Sequence, residues 1–176
     1  MPTVFAHALV AFTGARLLRL DPGLTGAAVA CAVLPDLDVF APAFGVPWSS
    51  FLAHRGFTHT LGFALLLGIA LALLVFRRRP PWRLDTIAAL LALATFTHPL
   101  LDMLTNGGRA IPILWPFDDA RHFFPWRPIE VSPFIAGFFS RRGLEVLANE
   151  AVWIGAPCAV ALAAHASVRQ ARLRSG

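Results

Sequence analysis

Charged residues are scarce in this sequence. Only 14% of its 176 residues are charged and 57% are hydrophobic, against about 25% and about 45–50% in an ordinary soluble domain. A chain of this length cannot build an interior large enough to hide that apolar excess. The composition therefore argues against a soluble globular enzyme, and it excludes a disordered chain.

Cysteine is rare and lysine is absent. The two cysteines, Cys31 and Cys158, lie in apolar stretches without C-x-x-C or zinc-finger spacing, which excludes a disulfide scaffold. All 15 basic residues are arginine. They stand in short groups beside apolar runs, a pattern typical of membrane anchoring and not of a nucleic-acid-binding helix, so we predict no nucleic-acid partner.

Long apolar runs dominate what is present. Residues 60–76 carry no formal charge, and as a helix they would span about 26 Å of a hydrocarbon layer about 30 Å thick. Residues 84–105 and 143–168 are two further predicted spans. Residues 2–20 and 23–39 have shorter uncharged cores, so they either cross the membrane or form a tight hairpin or re-entrant pair. We predict an all-α fold, a polytopic membrane helical bundle of about four to five transmembrane or re-entrant helices.

The arginines also predict an orientation. Alternate helix ends along a five-helix path hold nine arginines and two acids, a net charge of +7, and the opposite ends and loops carry −2. By the positive-inside rule, the arginine-rich ends face inwards. The loop at about 106–142 is rich in proline and aromatic residues and suits either the headgroup layer or an ordinary surface loop. The predicted unit is one membrane-embedded domain, residues 1–176. The nine inner arginines are Arg16, Arg19, Arg77, Arg78, Arg79, Arg83, Arg169, Arg172 and Arg174.

Ionisable side chains interrupt the apolar segments. His98, Asp102 and Asn106 recur every four residues and share one helical face, beside the helix-kinking Pro99. An ionisable group in the bilayer centre costs at least about 2.5–3.5 kcal/mol, so it needs a partner or a function. A His–Asp hydrogen bond that only packs two helices would explain this pair taken alone.

Other segments bring similar residues to the same depth. Counted from the inner arginines at about 1.5 Å per residue, the His and Asp residues of four segments fall in the outer half of the bilayer. A bound cation would neutralise carboxylates gathered there. Imidazole and carboxylate donors favour zinc, with manganese, iron or magnesium as alternatives, and their number suits one or two divalent ions, with some residues behind the direct ligands. The candidate ligands are His7, Asp36, Asp38, His54, His59, His98 and Asp102.

Three residues are candidates for catalysis. Arg55 suits an anion clamp for a phosphate or oxyanion, or it pairs with a carboxylate. His59 counts both as a ligand and as a catalytic candidate. Glu150 lies deep in the last predicted helix and suits a general base or a further ligand, unless it pairs with Arg141 or Arg142.

Read together, these motifs resemble the YdjM-type proteins, a family of LexA-regulated bacterial inner-membrane proteins regarded as metal-dependent hydrolases. The resemblance covers about residues 3–108 and implies a multi-pass protein of the bacterial inner (plasma) membrane, with a His/Asp metal site and hydrolase activity. It does not extend past about residue 120, so it lends Glu150 no support. Its motifs are His7, PDLD at 35–38, HRGFTHT at 54–60 and HPLLDMLTNGG at 98–108.

The expected activity is hydrolysis of an ester or phosphoester of a membrane lipid or lipid-linked small molecule, approached from the outer leaflet. A metal-activated water would be the nucleophile. Two alternatives remain open at this stage: an ion or proton transporter, and a non-enzymatic protein stabilised by its metal. A membrane phosphatase of the phosphatidic-acid-phosphatase type is disfavoured because its pattern uses a lysine, and this chain has none.

Overall fold

The structure, a computed structural model, describes residues 1–78, 82–133 and 135–175. Within these ranges the chain is helical and forms no β-strand, only two isolated bridges. The fold is the helical membrane bundle that the composition predicts. Its α-helices are α1 (Val4–Leu17), α2 (Pro22–Val33), α3 (Leu61–Leu71), α4 (Leu84–Met103), α5 (Ile135–Phe138), α6 (Arg141–Glu150) and α7 (Ala156–Ser175). Leu34–Phe44 and Phe57–His59 are 3₁₀ helices, and Ala72–Phe76 and Ala151–Gly155 are π-helical.

Helices α2 and α3 each begin at a polar residue whose side chain caps the helix. The Asp21 carboxylate accepts hydrogen bonds from the amides of Gly23 and Leu24 at 2.9 and 3.1 Å, which closes the predicted turn between α1 and α2. The Thr60 hydroxyl accepts from the amide of Phe63 at 3.0 Å and so begins α3. Both caps satisfy amides that an apolar surrounding would leave without partners.

One apolar segment is longer than the sequence predicts. Pro22–Phe44 forms one continuous helical segment of 23 residues, because the 3₁₀ stretch prolongs α2, and it is long and apolar enough to cross a membrane. Leu84–Met103 and Arg141–Arg174 also have this length and composition. Leu61–Phe76 covers almost all of the predicted segment 60–76 and belongs with Val4–Leu17 among the shorter apolar helices of the described chain; that it crosses the membrane stays a prediction.

Helix α4 is the centre of the bundle. It packs against α1, α2 and α3, and its crossing with α3 depends on Gly68. A Cβ atom at Gly68 would lie 2.5 Å from the Ala88 carbonyl oxygen and 2.7 Å from the Ala92 amide nitrogen. Such distances are shorter than van der Waals contact, so only glycine allows the two backbones to approach this closely.

The two ends of the bundle differ in polarity. The arginine-bearing ends of α1, α3 and α4 meet around an apolar core that contains Ala15, Phe76 and Ile87. The seven candidate metal ligands lie at the other end, under the chain that follows α4. Arg79, one of the arginines assigned to the inner face, lies outside the described residues.

The chain between α4 and α5 packs onto the bundle. Ile111, Ile113 and Ile129 are buried, and Ile111 exchanges backbone hydrogen bonds with His122 at 3.0 and 2.8 Å. Several aromatic side chains of this end remain exposed, among them Phe117, at 82%. An interfacial position for the loop at about 106–142 stays a prediction.

We expect Gly68→Ala to lower the free energy of unfolding by about 1–3 kcal/mol, the usual cost of forcing extra volume into a packed contact. Denaturant titration in detergent micelles measures this change. Gly14→Ala in α1 is the matched control, because a Cβ there would meet no atom within 4 Å. Equal stability of the two variants would contradict the close α3–α4 crossing.

Candidate metal centre

Four separate segments bring His and Asp side chains together at one end of the bundle. Helix α1 supplies His7, the 3₁₀ stretch after α2 supplies Asp36 and Asp38, and α4 supplies His98 and Asp102. The segment before α3 supplies His54 and His59. All seven candidate ligands are buried, and each lies within 4.0 Å of another member, so the structure brings together the complete predicted set.

The tightest part of this cluster consists of two imidazoles and two carboxylates. The Nε2 atoms of His59 and His98 lie 3.1 Å apart. Asp36 Oδ1 lies 3.3 Å from His98 Nε2 and 4.0 Å from His59 Nε2. Asp102 Oδ2 lies 3.3 Å from His59 Nε2 and 4.0 Å from His98 Nε2. Donor atoms that share one ion at bond lengths of about 2.0–2.2 Å lie about 3.0–4.2 Å apart, and these distances fall in that range.

Hydrogen bonds behind the rings fix which nitrogen faces the cluster. His98 Nδ1 lies 2.7 Å from the carbonyl oxygen of Ala32, which can only accept, so this nitrogen carries the proton. His59 Nδ1 lies 3.0 Å from the Thr58 hydroxyl oxygen, which donates its own proton to Asp38, and 3.2 Å from Asp38 Oδ2, so this nitrogen also carries a proton. The lone pairs of both Nε2 atoms therefore point at each other, a repulsive arrangement that a cation between them reverses. A proton shared between the two rings is the alternative occupant.

The carboxylates of Asp36 and Asp102 lack hydrogen-bond partners. Within the described residues, none of their four oxygens accepts a well-directed hydrogen bond, although all are shielded from solvent. Buried carboxylates without hydrogen bonds are strongly destabilising unless a counter-charge offsets them, and the Arg55 guanidinium, which lies 3.2 Å from Asp102, offsets only one of these two negative charges. The residues present thus fit a divalent cation, on their donor chemistry as well as on their distances.

His7 extends the cluster to a second position. Its ring stacks on His98 with centroids 3.7 Å apart, and its Nε2 lies 3.8 Å from Asp102 Oδ1. Neither ring nitrogen of His7 makes a hydrogen bond within the described chain. Asp102 therefore directs one oxygen towards His7 and the other towards His59. Two groups of three residues have donor atoms close enough for an ion each: His7, His98 and Asp102; and Asp36, His54 and His59.

Asp38 lies behind the imidazoles. Its Oδ1 is 2.7 Å from His54 Nδ1, and its Oδ2 accepts from the Thr58 hydroxyl at 2.5 Å and faces His59 Nδ1. Both oxygens are thus occupied by protein groups. In this arrangement Asp38 orients the rings of His54 and His59. It thus takes the supporting position behind the direct ligands that we expected for some of the seven candidates.

Arg55 is enclosed in the protein. Only 1% exposed, it directs Nε towards Asp102 Oδ2 at 3.2 Å. Its Nη1 donates to the carbonyls of Gly107 and Arg109 at 2.8 and 2.9 Å, and its Nη2 donates to the Thr105 hydroxyl at 2.9 Å. Of the two roles that the sequence allowed, the structure therefore displays pairing with a carboxylate, and the guanidinium is not presented as an anion clamp.

Local backbone geometry explains this inward direction. Arg55 has a left-handed φ of 62°, which turns its side chain back into the bundle. Gly108, with a φ of 87°, passes over the guanidinium, and a Cβ there would lie 2.4 Å from Nη1. Gly108, the last residue of the HPLLDMLTNGG motif, thus leaves space for Arg55 of the HRGFTHT motif.

Glu150 does not join the cluster. Its carboxylate accepts hydrogen bonds from the amide and the hydroxyl of Thr3 at 2.5 and 2.6 Å, which ties the end of α6 to the beginning of α1. It belongs to neither group of potential ligands in the described chain. Nor does it pair with the arginines that we considered, because Arg141 and Arg142 contact Glu145 and Arg142 also contacts Glu130.

The sequence interpretation assigned no role to several residues that complete the site. Thr58 and Thr105 lie inside the recognised motifs, but their partners Asp38 and Arg55 became visible only in the fold. No sequence signal marked the Ala32 carbonyl. The sequence also did not predict a cavity of about 340 Å³ beside the cluster. Its lining includes His54, Arg55, Gly108, Arg109 and Ser132.

Arg55→Gln should cost about 3–5 kcal/mol of unfolding free energy, because it leaves Asp102 without its buried counter-charge. Arg127→Gln is the control: that guanidinium is exposed over the Phe123 ring, 4.8 Å from its centroid, and its loss should cost at most about 1 kcal/mol. Denaturant titration of both purified variants measures the difference. If Arg55→Gln were as stable as Arg127→Gln, the ion pair of Arg55 with Asp102 would not contribute to the free energy of unfolding.

Comparison with known proteins agrees with the motifs. The sequence profile of the YdjM inner membrane protein family matches residues 1–172. The chain is also similar to "Inner membrane protein YbcI" of Escherichia coli (strain K12), with 37% identity over 163 residues, covering 89% of this chain and 92% of that protein. No solved structure matches. The chain therefore belongs to the YdjM family of inner membrane proteins.

Proposed function

We propose that this protein is a membrane-embedded, metal-dependent hydrolase that cleaves an ester or phosphoester of a lipid or lipid-linked substrate. One observation carries the proposal: the converging Nε2 atoms of His59 and His98, with the unsatisfied carboxylates of Asp36 and Asp102 beside them. Arg55 offsets only one of the two carboxylate charges, and a shared cation or a trapped proton would neutralise the rest of the set. The same cation would also activate water for hydrolysis.

In this proposal, the cluster side chains are metal ligands. His59, His98, Asp36 and Asp102 would hold the first ion, with zinc favoured by the nitrogen and oxygen donors and manganese, iron or magnesium as alternatives. His7 would contribute to a second ion. When bound, such an ion would lower the pKa of a water molecule towards about 7 and so would supply the nucleophile for hydrolysis.

The surrounding residues would position the ligands. Asp38 and the Ala32 carbonyl hold the imidazole rings in the tautomer that offers Nε2 to the ion. Arg55 holds Asp102 and balances part of its charge. In this arrangement Arg55 is a positioning residue, and Glu150 fixes α6 against α1.

The cavity beside the cluster suits an anionic head group. Arg109 lines it, and Arg121 lies close by, donating to the carbonyl oxygens of Arg55 and Ala110 at 2.9 and 2.8 Å. Burial and the neighbouring Arg109 lower the pKa of the Arg121 guanidinium, because two positive charges are held near each other. An anionic substrate would relieve that repulsion.

A second cavity of about 320 Å³ adjoins the first and is mostly apolar. Both cavities include Met1 and Ser132 in their lining, and the second adds Val39, Phe138 and Phe139. Both cavities are mostly apolar, but only the first includes the polar side chains of His54 and Arg109, so together they match an amphiphile with its head group near these residues and an acyl chain in the second cavity. This pairing supports a lipid substrate over a small water-soluble ester.

The charge pattern supports an orientation for the site. With the arginine-rich helix ends on the inner side, the chain would cross the membrane several times and hold the metal centre in the outer-leaflet half. The exposed aromatic residues at that end, such as Trp48 and Trp126, would then lie in the headgroup layer.

A transporter is the weaker alternative. Between the cluster and the arginine-rich end, the buried core of the described chain is mostly apolar and includes Leu24, Cys31, Leu91 and Ala94, with the hydroxyls of Thr13 and Thr95 as its uncharged polar groups. A proton or ion pathway would require polar groups that continue to the second face. The bundle therefore favours a site that opens towards one side.

Detergent-purified wild-type protein should contain stoichiometric transition metal by elemental analysis, and His98→Gln or His59→Gln should lose it. Asp38→Asn should bind the metal about 10–100-fold more weakly, because only the support of the rings is changed. His122→Gln is the control, since His122 lies outside the cluster in a weak contact with Asp118 at 3.7 Å. Wild-type protein without metal after reconstitution, or equal metal in all variants, would refute the centre.

Hydrolysis should be detected with long-chain phosphatidic acid or a lipid-linked diphosphate in mixed micelles, and a chelator should abolish it. Adding back the metal should restore the rate, and Asp36→Asn should reduce it to background. The head group alone, glycerol 3-phosphate, should be a poor substrate because it leaves the apolar cavity empty. Metal-loaded protein that is inactive on the whole panel would favour the metal-stabilised, non-enzymatic alternative.

A further inference from the structure

A third cavity lies at the end of the bundle opposite the metal centre. Its volume is about 400 Å³, within the range of small-ligand sites. It is formed where the end of α1 meets α7, and Arg16 follows His7 by nine residues on α1, about 13 Å along the helix axis. The lining residues are Arg16, Arg19, Leu20, Leu162, His165, Ala166 and Arg169.

This cavity concentrates positive charge without acidic partners. Three guanidinium groups and one imidazole line it, and no carboxylate does. Within the described chain none of the three arginines forms an ion pair, whereas Arg83 pairs with Asp85 and Arg142 with Glu130. The acid nearest in sequence, Asp21, is occupied by the amides that begin α2.

The wall of the cavity is held in place by its own backbone. Arg19 has a left-handed φ of 56°, and its amide donates to the Arg16 carbonyl at 3.2 Å. The amide of the next residue, Leu20, donates to the Ala15 carbonyl at 3.0 Å, and its side chain is buried in the apolar core. The turn that carries two of the arginines is therefore ordered by local bonds and by packing.

We propose that this cavity binds the phosphate of an anionic phospholipid head group, at a site separate from the metal centre. Arginine forks match phosphate oxygens, and basic pockets between transmembrane helices are suited to anionic lipid head groups. Leu162 and Ala166 provide an apolar wall along which the glycerol and acyl part can continue into the bilayer. A bound lipid would join α1 to α7 through its phosphate.

Native mass spectrometry of the full chain in micelles tests this site, with phosphatidylglycerol and phosphatidylcholine as probes. Wild-type protein should retain phosphatidylglycerol, and Arg16→Gln/Arg169→Gln should bind it about 30-fold more weakly, at about 1 kcal/mol for each arginine. Arg78→Gln/Arg174→Gln removes the same charge from residues that do not line the cavity and should bind as wild type does. Thermal unfolding without lipid checks that both variants fold.

A separate titration with inorganic phosphate and glycerol 3-phosphate distinguishes a lipid from a soluble source. Tight binding of phosphatidylglycerol with weak binding of the soluble anions supports the lipid site. Soluble anions that bind equally well would support the phosphate site and move its ligand into the aqueous phase. Equal weakening in both double variants, or retention of phosphatidylcholine to the same degree, would overturn the proposal. Metal content is read in the same samples and should not change.

Discussion

The cost of placing carboxylates inside an apolar helical bundle governs this structure. Asp36 and Asp102 are shielded from solvent and lack well-directed hydrogen bonds in the described chain, and each would destabilise the fold if it stood alone. The two imidazole nitrogens that meet beside them repel each other in their neutral forms. One cation bound by all four side chains would replace these unfavourable interactions with favourable ones. We therefore interpret the cluster as a metal centre.

Much of the remaining architecture supports that cluster. The close α3–α4 crossing at Gly68 fixes α4, which carries His98 and Asp102, against the helix that follows His59. The chain after α4 turns back over the site, and its carbonyls hold Arg55 against Asp102. Distant parts of the sequence are thus joined by the same polar network, and the apolar core beneath confines it to one end of the bundle.

The convergence of the His and Asp residues could be predicted from sequence, because helices of known rise place residues at calculable depths. The fate of Arg55 could not, since its inward direction depends on a left-handed backbone angle and on the absence of a side chain at Gly108. Glu150 was similarly out of reach: its partner Thr3 is 147 positions away, and only packing of α6 against α1 brings them together. The helical segment that begins with α2 continues to Phe44, beyond the predicted 23–39, and this extension depends on 3₁₀ geometry, which accommodates Pro35 and Pro42.

Anomalous diffraction at the absorption edge of the bound metal, on crystals of the metal-loaded protein, tests the central claim most directly. A peak within about 2–2.5 Å of His59 Nε2 and His98 Nε2, with oxygens of Asp36 and Asp102 in contact, is the predicted result. Density for a proton-bridged imidazole pair without any anomalous peak, or a metal bound elsewhere, would contradict it.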